Sequence, residues 1–346
     1  MTKAQFFMRF GFLVAPLGWL FDGLTRLRAW TYRKGWLPSV RPPWPTMSIG
    51  NLAAGGTGKT PLLFSALTWL EKQDADIGVL SRGYGDDEGR ILAERFPKVT
   101  LVEGADRVAG LDKLKLHPPE VLLLDDGFQH LRLRRDFDVV VLDATQPFGR
   151  CFPAGLFRES PAALRRADLV VLSRAELVDA GARERVWSWV TDVRQGLVDL
   201  PRLEGGLHVR DWRNLHSGEV RPPLELRDLP AVLAAGVGNP HSFQALCERA
   251  GVKVKAVEWR KDHHSWTTAE ASDWEKQECV LVTEKDGVKL RPFAPPSVWE
   301  VRVDWVFSKG IEHWESALMD LHLPARAARI EPLWQAHDPN GRAVNR

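Results

Sequence analysis

Cysteine is scarce. Cys151, Cys247 and Cys279 are odd in number and far apart, which argues against a disulfide framework and fits a reducing compartment. No C-x-x-C or Cys/His zinc spacing occurs either. A long apolar run is also missing. The longest uncharged stretch, Phe10 to Phe21, is about 12 residues and contains Pro16, well short of the ~20 a membrane-spanning helix needs. It has the length of a signal-peptide core, but no small-residue cleavage site follows. Excess charge of one sign is absent, with Lys+Arg 47 against Asp+Glu 45 and a net of +2. That balance argues neither for nor against a nucleic-acid or membrane partner. No fixed-period repeat is visible.

What is present begins with charge distribution. Between Lys3 and Arg41 lie Arg9, Arg26, Arg28, Arg33 and Lys34, opposed only by Asp22. Residues 5–32 interleave these with Phe6, Phe7, Phe10, Phe12, Leu13, Leu17, Trp19, Leu20, Phe21, Leu24 and Trp30. Residues 1–44 therefore read as a basic amphipathic segment, either lying in a membrane interface or packed on the domain behind it.

At 346 residues the chain should hold about two domains. Apolar runs at 46–49, 77–80, 99–102, 121–124, 138–142 and 168–172 alternate with helical patterns such as 62–72 and 106–115. Val121 to Leu124 and Val139 to Leu142 suit a parallel sheet covered on both faces. The fold class expected is α/β: a doubly wound, mainly parallel sheet of the P-loop type over 45–200. A linker ribbon over 201–229 joins it to a smaller α/β unit over 230–323. Residues 324–346 are expected as a return strand and polar tail.

The chemistry centres on Ser48 to Pro61, SIGNLAAGGTGKTP. An apolar run, a glycine turn and a helical pattern follow one another as a phosphate-binding loop requires. Successive backbone N–H groups at Ala53, Ala54, Gly55, Gly56, Thr57 and Gly58 would cradle phosphate oxygens. Lys59 would sit on the β- and γ-phosphates of ATP, and the Thr60 hydroxyl would hold Mg²⁺. The first glycine of the usual G-x-x-x-x-G-K-[ST] pattern is here Ala53.

Further on, Val121 to Leu124 ends in Asp125-Asp126, a strand delivering carboxylates beside that loop for Mg²⁺. His130 follows within a turn or so. Ser81-Arg82-Gly83-Tyr84-Gly85 and the acids Asp86, Asp87 and Glu88 close the second strand, where open α/β sheets place ligands. Arg158-Glu159 offers a cation and another acid. In the second half, Asp262-His263-His264 and Thr283-Glu284-Lys285-Asp286 stand at strand ends. Two adjacent histidines do not share a face, so one His oriented by a carboxylate for proton transfer is the functional reading there.

Taken in order, Ser48 to Leu52 with Gly55 to Pro61, Ser81 to Tyr84, Asp125 to His130, Pro153-Ala154-Gly155, Arg158-Glu159, Gly236 to Pro240 and Thr283 to Asp286 resemble the tetraacyldisaccharide 4′-kinases of lipid A biosynthesis. That resemblance implies an enzyme peripheral to the cytoplasmic face of the bacterial inner membrane. It would move the γ-phosphate of ATP to the 4′-hydroxyl of a tetraacylated glucosamine disaccharide 1-phosphate. Neither nucleic acid nor an obligate protein partner is implied. The family acid lies in Gly-Asp-Glu-Pro, matched here by Asp86-Asp87-Glu88-Gly89, which places it at Asp87 with Asp86 as the alternative. His263 matches its partner, so that Asp87 takes the hydroxyl proton while His263 orients it, with two domains closing over the substrate. Asp125, Asp126, His130 and Glu159 would hold or shape the Mg²⁺ site, and Arg158 would offset phosphate charge. Two other classes fit the nucleotide loop: a membrane-recruited ATPase switch, and a soluble small-molecule kinase.

Overall fold

The computed structural model describes residues 14–83 and 87–335, with side chains through residue 323. Asp86, the alternative acid, lies outside the described residues, as do Tyr84, Gly85, the first part of the basic segment and the tail from 336.

After helix α1 (Ala15–Arg33), strand β1 (Thr46–Asn51) leads into α2 (Lys59–Lys72). Then come β2 (Ile77–Ser81), α3 (Asp87–Arg95), β3 (Thr100–Glu103), α4 (Arg107–Leu114), β4 (Val121–Asp125), β5 (Phe137–Asp143), β6 (Leu169–Ser173) and α5 (Ala180–Val193). The second half holds β7 (Arg202–Asn214), β8 (Val220–Arg221), β9 (Pro230–Ala235), α6 (Pro240–Arg249), β10 (Lys253–Trp259), α7 (Thr268–Ser272), β11 (Val280–Thr283), α8 (Glu284–Leu290), β12 (Val298–Lys309) and α9 (Ile311–Gln335).

All strands join one sheet in the order β10-β9-β11-β12-β7-β6-β5-β1-β4-β2-β3, with β8 on the flank of β7. Along that order every pairing is parallel except β12 with β7. The expected parallel α/β sheet is present, and its two halves meet along this one antiparallel seam. The β7 segment falls where a ribbon was expected, because Gly205-Gly206 reads as a break in sequence. In the structure those glycines permit close packing: a Cβ at Gly205 would lie 2.6 Å from the Val306 carbonyl oxygen, and one at Gly206 within 1.9 Å of Glu176 Oε2. Residues 324–335 differ from the expected return strand; they continue α9, in keeping with the helix propensity of Ala325, Ala327 and Ala328.

Both faces of the sheet are covered, which is why β1, β4 and β6 are wholly buried. On one side Met47, Ile49, Leu123 and Val139 pack with Leu63 and Leu67 of α2 and with Trp314, Leu318 and Leu321 of α9. On the other, Val140, Leu142, Val170 and Leu172 pack with Trp187 and Val190 of α5. The C-terminal helix thus braces the helix that opens at the glycine loop.

Gly50, one residue before the end of β1, lets the turn after β4 approach; a Cβ there would lie 2.5 Å from Phe128 Cβ and 2.9 Å from its N. Gly50→Ala is expected to cost about 1–3 kcal/mol through overpacking, read as a lowered thermal midpoint. An unchanged midpoint would contradict so close a contact.

Candidate active site

The loop between β1 and α2 is shaped by its glycines. Gly55 and Gly58 have φ of +123° and +92°, a region open to glycine but costly for other residues. A Cβ at Gly55 or Gly56 would meet nothing within 4 Å, so the loop backbone faces open space. The loop is held from behind. Asn51 Nδ2 donates to Thr57 Oγ1 at 2.8 Å, Ser173 Oγ to the Thr57 carbonyl at 2.7 Å and Arg174 Nη2 to the Gly56 carbonyl at 2.6 Å. Ala53 bridges to Phe157, and Ala54 N donates to the Leu156 carbonyl at 2.8 Å. Ala53 therefore sits where the 153–157 segment pins the loop.

Lys59 opens α2 and reaches 3.7 Å from Asp126 Oδ1. Burial is the largest influence on its ammonium and lowers its pKa from the ordinary value, with Asp126 pulling the other way. Asp126, at φ +50° just after β4, also receives Arg158 Nη1 at 2.5 Å. Burial opposes its charge, but Lys59 and Arg158 outweigh burial and hold the carboxyl below the usual range. Asp125, the last residue of β4, is 8% exposed, and burial followed by the nearby Glu88 pushes its carboxyl up to about 6. Its Oδ1, like Asp126 Oδ1, is buried with no hydrogen-bond partner. Orphaned carboxylate oxygens at the end of β4, which pairs in parallel with the strand leading into the open glycine loop and Thr60, are a donor set that fits a hard divalent cation and a phosphate chain. Among the described residues no three His, Cys, Asp or Glu side chains form a ready-made metal cage, consistent with a metal that takes most of its ligands from phosphate and water.

Asp87 begins α3 and is buried. Its Oδ2 lies 3.5 Å from His263 Nδ1 and 3.1 Å from Lys289 Nζ, and its Oδ1 accepts from Glu88 N at 3.0 Å. His263 is held at φ +59° by its N–H, which donates to the Gly236 carbonyl at 3.0 Å. The distant Asp and His are thus neighbours already, and no further closure is needed to pair them. Glu88 accepts from the Thr60 hydroxyl at 3.3 Å and pairs with Lys285.

Lys59, Thr60, Asp125, Asp126 and Arg158 converge, and Glu88 links them to Asp87 and His263. Glu159 and His130 face arginines instead, though Glu159 Oε1 and His130 Nε2 are buried without a hydrogen-bond partner. Glu159 Oε2 pairs with Arg166 at 2.9 Å, and that guanidinium lies over the Phe128 ring. His130 is pushed down to about 4 by burial and then by Arg107, Arg132 and Arg135, a basic surrounding unsuited to a cation. The sequence marks Lys285 only as part of the Thr283 to Asp286 motif, leaves Lys289 unmarked, and gives Glu88 no role beyond a loop acid. Their one signal was the four-residue spacing of two lysines just after a strand, which places both on one helix face.

A parallel sheet with a glycine loop opening a helix, a lysine and threonine at its start and carboxylates at the next strand end defines a P-loop enzyme of the phosphotransferase kind. The model of the family "LpxK: Tetraacyldisaccharide-1-P 4′-kinase" matches residues 10–320. A tetraacyldisaccharide 4′-kinase of Thiobacillus denitrificans is 34% identical over 87% of this chain and 93% of its own, and one of Geobacter sulfurreducens 36% identical over 78% and 82%. The LpxK of Aquifex aeolicus, solved in complex with ATP, superposes with a TM-score of 0.71 at 26% identity over 90% of this chain and 99% of its own. The chain belongs to the tetraacyldisaccharide-1-P 4′-kinase family.

Proposed function

We propose that this chain transfers the γ-phosphate of ATP to the 4′-hydroxyl of a tetraacylated glucosamine disaccharide 1-phosphate, working peripherally at the cytoplasmic face of the inner membrane. The observation that carries the reading is Asp87 paired with His263 and linked through Glu88 to Thr60 of the phosphate loop. Asp87 takes the proton of the acceptor hydroxyl as its oxygen bonds to the γ-phosphorus and the bond to the β-phosphate bridging oxygen breaks, with ADP leaving. His263 orients that carboxylate. The N–H groups of Gly55, Gly56 and Gly58 hold the phosphates, those of Ala54 and Thr57 being bonded to the Leu156 and Gly55 carbonyls, and Lys59 and Arg158 face the charge that develops on them. Thr60, Asp125 and Asp126 would hold Mg²⁺, which supplies charge neutralisation across the phosphates. Glu159 and His130 shape the wall behind this set.

A lipid acceptor fits the other end of the molecule. Helix α1 is docked through Gly18 against Ala154 and through Phe21 beside Phe152. Its opposite face exposes Leu17, Trp19, Leu20, Leu24 and Leu27, each more than half exposed. Beside it a cleft of about 750 Å³ is lined by Arg33, Arg134 and Arg165, among others, and none of these three is paired with a carboxylate among the described residues. Apolar side chains flanked by arginines bonded only to neutral groups, Arg134 to Ser39 and Arg165 to the Val193 and Gln195 carbonyls, suit acyl chains below phosphate headgroups. No helix among the described residues is long and apolar enough to cross a membrane. Leu20→Glu with Leu24→Glu is expected to lower sedimentation with anionic vesicles by roughly tenfold or more, while ADP binding holds. Undiminished sedimentation would remove α1 from the membrane contact.

The activity itself is tested with γ-labelled ATP, Mg²⁺ and detergent-dispersed tetraacyldisaccharide 1-phosphate. Label in the lipid is expected. Label released only as inorganic phosphate, with lipid making no difference, would favour an ATPase switch.

A further inference from the structure

We infer that Lys289 and Lys285, one turn apart on α8, clamp the acidic pair Asp87-Glu88 and position the Asp87 carboxylate for proton removal; this rests on the reading of Asp87 as the base. Lys289 Nζ is 3.1 Å from Asp87 Oδ2, and Lys285 Nζ pairs with Glu88 Oε1. Residues four apart on a helix share a face, so adjacent acids at the start of α3 each meet one lysine.

The clamp has a fixed base. Asp286, between the two lysines, is wholly buried and accepts from Gly236 N at 3.1 Å, Trp266 Nε1 at 2.8 Å and Thr283 Oγ1 at 2.7 Å. Gly236 is also the residue whose carbonyl accepts from His263 N. One anchor therefore sets α8 and the His263 turn relative to each other, and both lysines and the imidazole approach α3 as a single rigid jaw.

Three contacts locate the Asp87 carboxylate: the Glu88 N–H on Oδ1, and His263 and Lys289 on Oδ2. The side chain is 2% exposed, so water cannot replace a missing cation, and a buried carboxylate stripped of its partner is strongly disfavoured. Lys289 thus keeps a charged base in a dry place, while the planar imidazole aims it. Lys285 acts one residue further on. Glu88 bonds the Thr60 hydroxyl, so neutralising Glu88 lets the phosphate chain approach the loop without facing an uncompensated carboxylate. Together they tie the second half of the sheet to the nucleotide loop through α3.

The test compares Lys289→Met, Lys289→Arg and Lys285→Met in lipid phosphorylation, with ADP affinity and thermal midpoint measured on each. Lys289→Met is expected to lose roughly 10–100-fold in kcat with ADP affinity near that of the unaltered protein and a lowered midpoint, and Lys289→Arg to recover most of both the rate and the midpoint. Lys285→Met is expected to raise KM for ATP by about threefold or more with a smaller change in kcat. Full kcat in Lys289→Met while Asp87→Asn is crippled would overturn the clamp and leave the Asp87 reading in place. Full kcat in both would overturn that reading and the clamp with it. A loss in Lys289→Met matched by a fallen midpoint and not rescued by Arg would mark a structural lysine and equally overturn the inference.

Discussion

Lys59→Met is expected to lower kcat for lipid phosphorylation by roughly 10³-fold or more, the range seen when a charge facing a transferring phosphoryl group is removed. The side chain is deeply placed at the start of α2 and, among the described residues, reaches only Asp126 within ion-pair distance. Methionine keeps the length and apolar stem, so the loss reports the charge. Burial already works against the ammonium of Lys59, which means the site holds a cation where solvent cannot supply one. Comparing kcat for the variant and the unaltered protein at saturating ATP checks this. A nearly silent variant would overturn the assignment of transition-state stabilisation to this loop.

Removing the base should hurt less. Asp87→Asn and His263→Ala are expected to lower kcat by about 10²-fold, near the low end for general base catalysis, because a loose transition state asks little of the nucleophile's proton until late. The double variant should fall little below Asp87→Asn alone, since His263 acts through the carboxylate 3.5 Å away. Independent, multiplying losses would show that His263 has a separate task. The ordering matters most: Lys59→Met below Asp87→Asn is what positioning and electrostatics predict.

Much of this site was legible in the chain because its parts are local. Thr46 to Lys59 is strand, glycine turn and helix in one continuous stretch, and Gly50, Gly55 and Gly58 there each answer a backbone need. Val121 to Asp125 announces itself as a buried strand ending in acid. What stayed hidden depends on partners far along the chain. Lys289 and Asp87 are brought together by the seam between β7 and β12, and neither residue carries a local sign of the other. Glu159 is similar: beside Arg158 it reads as one more acid near the phosphates, but Arg166 and the Phe128 ring draw it away. The seam was obscured by Gly205-Gly206 and by the register shifts between Arg302 and Val303 and between Phe307 and Lys309, which break the strict alternation a strand would show.

The two halves also press together outside the site. Glu94 of α3 receives Arg213 of β7 and Arg291 after α8, and both arginines also reach the fully buried Glu300. This network holds the Glu94 carboxyl below its ordinary pKa despite partial burial. Helix α3 is thereby fixed at both ends, by the lysine clamp at Asp87-Glu88 and by arginines at Glu94. That double fixing makes the catalytic helix part of the framework rather than a free loop.

The most direct measurement is ³¹P NMR of the lipid recovered after incubation with ATP, Mg²⁺ and tetraacyldisaccharide 1-phosphate. The account predicts a second phosphomonoester, coupled to the proton at C4′ of the distal glucosamine, with the original 1-phosphate intact. Inorganic phosphate with unaltered lipid, or a new ester at another hydroxyl, would contradict it.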